Sequence, residues 1–231
     1  MTNKTRWLIV FFLLFCLSLL AQNKSDSLAI NFHPQFNKLP LQLNKEYVSF
    51  NKDTLTFETF RCYISNIQVY YTDNSIFIQK DSHHLLDLDK LNSFQIPLTQ
   101  NSEKVISKVT FNIGIDSLTN NSGAMAGDLD PVKGMYWAWQ SGYINMKIEG
   151  KSSSCKTREN KFQFHIGGYL QPNYAMRKVE INVDKKGSIA IAIDLKEFFS
   201  TINLSKNSSI MIPGKAAMEL ADDSVKMFHL E

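Results

Sequence analysis

The segment GMYWAWQSGY, residues 134–143, concentrates aromatic and sulfur-containing side chains between glycines. In an extended chain Met135, Trp137 and Trp139 share one face, because alternate side chains of a strand point the same way. Indole rings can cover a soft cation and a thioether is a soft donor, so these three residues are candidates to line a metal or ligand site. Large aromatics also dominate hydrophobic cores, and the sequence leaves that alternative open.

Histidines are the second group of residues that could do chemistry. His165 in FQFHIGG falls on the opposite strand face from Phe162 and Phe164, and His33 lies at the end of the first predicted strand. Neutral imidazoles on rigid strand ends are good ligands for soft or borderline metals. His83 and His84 are adjacent, so they point to opposite faces and at most one can serve a common site. Taken singly, each histidine is better explained as a polar residue at a strand end than as a ligand.

A polar connection, DSLTNNSGAMAGDLDPVKG, precedes the aromatic segment. Long irregular connections of this kind are commonly functional. Its carboxylates Asp116, Asp128 and Asp130 could gather calcium, but the glutamate and glycine positions of a helix-loop-helix calcium loop are missing. The interpretation we favour is turn chemistry, in which these side chains cap their own backbone, with calcium as the alternative.

The sequence contains no motif for several classes of enzyme, and its charge does not indicate a nucleic acid or membrane partner. There is no nucleophile elbow, phosphate-binding glycine loop or zinc-protease helix, so we predict that the protein is not an enzyme. The formal net charge is +3 and falls to about +1 once Lys4 and Arg6 leave with the leader described below. A near-neutral chain with both signs interspersed indicates no nucleic acid partner and no anionic membrane surface.

The N-terminus reads as an export signal. A basic start, the apolar run LIVFFLLFCLSLLA and a polar continuation predict a secretory signal peptide over residues 1–21. The large Phe15 directly before Cys16 argues against a lipid-attachment site. We therefore expect a periplasmic or secreted protein without a membrane span in its mature part, residues 22–231, which forms a single domain. In an oxidising compartment the remaining pair, Cys62 and Cys155, favours one disulfide, with two buried free thiols as the alternative.

Short segments with period-two alternation recur along the whole mature chain, separated by Gly, Asn, Asp and Lys turns. Examples are KVISKVTFNIGI and KFQFHIGGYL, and the turn at residues 184–187 predicts a hairpin between its two flanking strands. Helical signals are limited to DLKEFFST and PGKAAMELADDSVKMF, and in the second segment Met218, Ala221, Val225 and Phe228 recur at helical spacing. The predicted fold is all-β, a two-sheet antiparallel β-sandwich with long loops and a short C-terminal helix.

Several motifs together resemble one known family. GDLDPVKGMYWAWQSGYINMKIEG followed by FQFHIGG, with RCYISNIQVYY, HHLLDLD and FNIGIDSLTNNSGAMAGDLDP, is similar to the MbnP-like family of periplasmic copper proteins. Order and approximate spacing match from Phe32 to about Phe228. The resemblance implies a β-rich exported protein that binds copper(I) through histidine imidazoles and an oxidised tryptophan. It implies as partners the copper ion and, in copper acquisition or handling, an outer-membrane transporter or a copper-chelating peptide.

Carried onto this chain, the resemblance implies His165, His33 and His84 as metal ligands. Trp137 and Trp139 occupy the tryptophan motif, either of them as the modified residue, with Met135 beside them. A second hypothesis from a different class is a non-metal binding module, for a glycan or a protein partner, on the same scaffold, since aromatic shelves also stack on sugars. A third is a purely structural role, in which the tryptophans belong to the core.

Overall fold

The computed structural model of the protein describes residues 28–50, 52–98 and 103–231. Numbered in chain order, the strands in these ranges are β1 (Ala29–Phe36), β2 (Leu39–Pro40), β3 (Glu46–Val48), β4 (Thr54–Tyr71), β5 (Ile76–Ile78), β6 (His83–Asp87), β7 (Gln95–Pro97), β8 (Ile106–Ile113), β9 (Tyr136–Trp137), β10 (Gly142–Ser152), β11 (Lys161–Gly167), β12 (Arg177–Lys185), β13 (Ile189–Asp194), β14 (Ser209–Ile210) and β15 (Phe228–Leu230). The α-helices are α1 (Ser117–Asn121), α2 (Leu195–Phe199) and α3 (Lys215–Val225), and 3-10 turns lie at Leu91–Phe94, Gly127–Leu129, Pro131–Lys133 and Arg158–Asn160.

The predicted signal peptide, residues 1–21, lies outside the described residues. Within the described ranges, no helix is both long enough and apolar enough to cross a membrane.

The larger sheet is organised around β4, an 18-residue strand. Cys62 of β4 pairs with Leu86 of β6 and with Met146 of β10, so these two strands flank it on opposite sides. Two residues further on, Ile64 pairs with His84 of β6 and with Ile113 of β8. Strands β8 and β10 therefore follow one another along the same side of β4. β11 then extends the sheet beyond β10, and β12 extends it beyond β8.

The smaller sheet has the order β15-β13-β1-β2, and β7 also pairs with β1. β1 and β13 run parallel, as do β11 and β14 of the larger sheet, whereas the other strand pairs are antiparallel within the described residues. The predicted two-sheet all-β sandwich with a C-terminal helix is confirmed, with these two parallel pairs as a feature that alternation alone does not reveal. The parallel pair is possible because β1 and β13 are far apart in sequence, with a long crossover between them.

The main hydrophobic core fills the space between the two sheets. Alternation along β11 directs Phe162, Phe164 and Ile166 into it. Phe32 of the smaller sheet meets Phe111 of the larger one edge to face, with ring centroids 5.5 Å apart. Full burial of such a side chain stabilises the fold by roughly 1.5–3 kcal/mol, so these interdigitating rings hold the sheets together.

Both predicted helices form, but the buried residues of the second differ in part from those predicted. Asp194 caps α2 by accepting a hydrogen bond from the Lys196 N–H. In α3 the buried residues are Ala217, Leu220, Ala221 and Ser224, one position away from parts of the predicted face. Phe228, which the helical spacing included, instead belongs to β15.

The predicted hairpin at residues 184–187 is wrong. Gly187 adopts a φ of 76°, so the turn exists, but β12 pairs with β8 and β13 pairs with β1. The turn therefore carries the chain from one sheet to the other. Turn residues specify a local reversal of the chain, and they do not specify which strand the next segment pairs with.

The predicted disulfide is also contradicted, because Cys62 and Cys155 are both free and buried. Cys62 pairs in register with Met146, while Cys155 follows the far end of β10, where Ser152 pairs with Leu55. The seven residue steps along β4 from Leu55 to Cys62 span about 23 Å, far more than the separation a disulfide tolerates. Burial raises the pKa of both thiols, which keeps them protonated.

Candidate functional site

The polar connection before the aromatic segment is held by its own carboxylates. Asp116 caps α1 through the Thr119 N–H, and Asp130 caps a 3-10 turn through the Val132 N–H. Asp128 accepts the Leu85 N–H at 3.1 Å and forms an ion pair with Lys133 at 2.6 Å. These carboxylates are thus engaged in turn and cap contacts. Within the described ranges no three His, Cys, Asp or Glu side chains are grouped so that they could hold a metal ion.

This connection and the aromatic segment lie over the outer face of the larger sheet, where they close a second hydrophobic cluster. Its members are Tyr63, Leu85, Ile115, Leu129, Met135, Trp137, Tyr143 and Ile144. The Tyr63 hydroxyl donates to the Asp128 carbonyl at 2.9 Å, and the Tyr143 hydroxyl donates to the Leu129 carbonyl at 3.0 Å. The two phenols therefore pin the connection onto the sheet.

The aromatic segment divides its residues between core and surface. Met135 is completely buried and Trp137 is 7% exposed, both inside the second cluster, whereas Trp139 is 65% exposed. The indole rings of Trp137 and Trp139 are 5.9 Å apart and tilted by 49°. Trp137 and Met135 thus follow the core alternative, and the structure does not present the Met135 thioether to a surface site. Trp139 stands on the surface against a buried partner.

Trp137 packs on the strand that carries His165. A Cβ atom at Gly167 would lie 2.7 Å from Cζ3 of the Trp137 ring, which shows how closely the indole covers that glycine. His165 lies two residues before Gly167 on the same outer face of β11. The buried indole and the histidine are therefore neighbours, brought together by β9, β10 and β11.

His165 is 7% exposed and its Nε2 lies 2.6 Å from Oε1 of Glu149 on β10. The hydrogen bond from His165 and the nearby Lys147 ammonium lower the pKa of Glu149 to about 2, against the opposing effect of burial. Glu149 is thus an ionised acceptor, and in a neutral imidazole the proton facing it sits on Nε2. The Nδ1 lone pair then remains, and it has no hydrogen-bond partner among the described residues.

His84 lies elsewhere in the larger sheet. It shares its strand face with Leu86, which belongs to the main core, so it points away from the face that carries His165. Three strand spacings, from β11 across to β6, add a separation of about 14 Å. His84 Nε2 contacts Oε1 of Gln79 at 2.8 Å, and burial lowers its pKa, so its neutral form is favoured.

His33 belongs to the smaller sheet. Its side chain is 52% exposed and its Nδ1 lies 2.6 Å from Oε2 of Glu231. Since Phe32 and Phe36 of the same strand point into the core, His33 points outward, away from the larger sheet. The structure therefore does not bring His33, His84 and His165 together into one site.

Sequence reasoning missed Glu149 and Lys147, the charged neighbours of His165. Their alternation with Met146 and Ile148 in YINMKIEG predicts that they share the outer face, so that part of the signal was available. The sequence does not predict which strand lies beside these two residues, because the pairing of Lys147 with His165 depends on the antiparallel register of β10 and β11.

Fold and site together define an all-β sandwich in which an aromatic loop covers one outer sheet face beside a carboxylate-bound histidine. The sequence model of the MbnP family matches residues 25–212, and the chain belongs to this family. Among solved structures it is similar to MbnP from Methylosinus trichosporium, at 12% identity, with a TM-score of 0.53 and with 82% of this chain and 81% of that one covered. At that identity the structural likeness shows the fold alone. No curated protein matches the chain.

Proposed function

We propose that the protein is an exported copper-binding protein that holds copper(I) at His165, beside the tryptophan loop, and acts in copper acquisition or handling rather than as an enzyme. Membership of the MbnP family supports the copper chemistry that the motif resemblance implies. The signal peptide that the sequence predicts over residues 1–21 supports a periplasmic or secreted location.

The observation that carries the proposal is the contact between His165 and Glu149 at 2.6 Å. Histidines that ligate metals almost always donate their other ring N–H to a carboxylate, a backbone carbonyl or a water, which fixes the tautomer and strengthens the donor. Here the carboxylate fixes Nε2–H and leaves Nδ1 as the donor atom. A neutral imidazole is a suitable ligand for copper.

The rest of the donor set differs from the three-histidine set that the resemblance implies. His33 and His84 are too far away and face other surfaces, so they do not fit a common site with His165. We infer that a donor from the tryptophan loop, or one carried in by a copper-chelating partner, completes the coordination. Of the two tryptophans, Trp139 is open to an oxidant because it is 65% exposed, and we assign the modification to it.

The test is metal analysis on protein purified from its native export pathway, with peptide mass mapping of the same sample. The proposal predicts near-stoichiometric copper and an oxidation mass gain in the peptide that contains Trp139. A Trp139→Phe variant is the matched control, since it keeps the aromatic surface but loses the mass gain. Protein that contains no copper, and takes up no copper(I) on reconstitution, would contradict the proposal.

A second candidate function rests on the exposed apolar side chains of the same loop region. Leu118, Met125 and Val132 are exposed, as is Trp139. Such a group of side chains fits a protein partner or a sugar face. A binding module of this kind would keep its target after metal removal, and His165→Ala would leave that binding unchanged, whereas copper binding requires His165.

A further inference from the structure

A polar cavity opens on the outer face of the larger sheet, where β4 lies between β6 and β8, whereas the His165 contact lies between β10 and β11. It has a volume of about 430 Å³ and is lined by Ser65, Asn66, Gln79, Asp81, Ser82, His83, Asn112, Asp116 and Met176. We call it the His83 pocket. Its floor is one row across three strands, because Ser65 of β4 pairs with His83 of β6 and with Asn112 of β8. The volume is in the range of small-molecule sites and far exceeds that of a bare ion.

Asn112 gives the first indication that the pocket takes a ligand. Its side chain lines the cavity and the residue is only 8% exposed. No side-chain hydrogen bond of Asn112 to any described residue exists, although buried amides are nearly always partnered. The Asn112 amide therefore has its oxygen and nitrogen available to the cavity, where a ligand can donate to the oxygen or accept from the nitrogen.

Charge indicates which kind of ligand fits. Asp81 and Asp116 both line the pocket, and neither forms an ion pair with a lysine or arginine of the described chain. The nearest cationic candidate is His83, whose Nε2 lies 3.9 Å from Oδ2 of Asp116, too far for a hydrogen bond. The two cations of β12 nearest Asn112 are paired with other carboxylates, Arg177 with Asp222 and Lys178 with Glu180. The residues that line the pocket thus include two carboxylates and no lysine or arginine.

We propose that the His83 pocket binds a small organic cation, an ammonium compound of the size of a short diamine. The ammonium donates to the Asp116 carboxylate, and the Asn112 amide and Asp81 provide the remaining polar contacts. Met176 supplies an apolar surface for the carbon chain. This site is separate from the proposed copper site, so either can fail without the other.

The test is calorimetric titration of the copper-free full chain with three four-carbon probes: 1,4-diaminobutane, the neutral 1,4-butanediol and the anionic succinate. The proposal predicts saturable binding of the diamine and affinity at least about tenfold lower for the other two, as expected when a hydrogen bond between charged groups is lost. Equal binding of all three probes, or no binding of the diamine at millimolar concentration, would overturn it.

Variants locate the binding. Asp116→Asn keeps the helix cap, because asparagine caps as well as aspartate, yet removes the charge and should lower diamine affinity about tenfold or more. Asn112→Ala should lower it severalfold. Asp184→Asn, an exposed position outside the pocket, is the matched control and should leave affinity unchanged. The proposal is wrong if Asp116→Asn leaves diamine affinity unchanged, or if the pocket binds zinc through His83 and does not bind the diamine. Thermal unfolding of each variant checks that the variant is folded.

Discussion

At the residue scale, the candidate copper site reduces to one imidazole and the carboxylate that orients it. Glu149 lies 2.6 Å from His165 Nε2, and Lys147 Nζ is 3.8 Å from the same carboxylate oxygen. The three side chains form a polar row on the outer face of β10 and β11. Such a row both stabilises the fold and determines which imidazole nitrogen can bind a metal.

This row predicts a specific acid dependence of stability. The pKa of Glu149 is lowered from 4.5 to about 2 in the folded protein, first by the hydrogen bond from His165. A depressed carboxyl pKa contributes stability above the unfolded value, and that contribution is lost as the pH falls from about 4.5 towards 2. In Glu149→Gln the free energy of unfolding should therefore fall less steeply over that interval. Urea titrations of both proteins between these pH values measure the difference, and parallel curves would contradict it.

The two tryptophans should respond very differently to truncation. Trp137→Ala removes a buried ring from the second cluster and should destabilise the protein by about 3–5 kcal/mol. Trp139→Ala removes an exposed ring and should change the free energy of unfolding by about 0.5 kcal/mol or less. Chemical denaturation compares them. Equal costs would mean that the segment does not divide between core and surface as described.

At the element scale, the site depends on how closely β9, β10 and β11 approach. A Cβ at Gly167 would lie 2.7 Å from the Trp137 ring and 2.8 Å from the Tyr143 carbonyl oxygen, which is backbone and cannot move aside. Glycine at this position thus permits the contact between the aromatic loop and the histidine strand.

Gly167→Ala should therefore destabilise the protein by about 1–3 kcal/mol, the usual effect of overpacking. The matched control is Gly214→Ala, where an added Cβ meets nothing within 4 Å. Denaturant midpoints measure the stability of the two variants, and near-ultraviolet circular dichroism reports the packing of their tryptophans. A Gly167→Ala protein as stable as its control would show that the loop does not pack on β11 as described.

The element scale also shows what the sequence can and cannot predict. Strand positions were predictable, since the alternation of Phe162, Phe164 and Ile166 is a local property of β11. The turn at Gly187 was predictable too, but not that it joins two sheets, because strand partners depend on contacts distant in the chain. His165 could likewise be identified from the sequence as a candidate ligand. Its contact with Glu149 could not, because that contact depends on the pairing of β10 with β11.

At the scale of the whole molecule, the sandwich places Cys62 within β4 and Cys155 beyond the far end of β10, so the two thiols lie well apart. A folded chain with this register cannot join them, so its stability should not depend on oxidation. Alkylation in denaturant without a reductant, followed by peptide mass mapping, should label both Cys62 and Cys155. A mapped Cys62–Cys155 disulfide would contradict the register of the larger sheet.

The sandwich also distributes the three candidate ligands over different surfaces: His165 lies on the outer face of the larger sheet, His33 on the outer face of the smaller sheet, and His84 points towards the core. The claim that only His165 anchors copper is therefore open to a direct test. Copper(I) affinity is measured by competition with a chromogenic chelator for wild type, His165→Ala, Glu149→Gln, His33→Ala and His84→Ala. The account predicts that Glu149→Gln weakens binding about 10–100-fold, that His165→Ala weakens it at least as much, and that the other two leave it unchanged. Unchanged affinity in His165→Ala, or a loss confined to His33→Ala and His84→Ala, would contradict it.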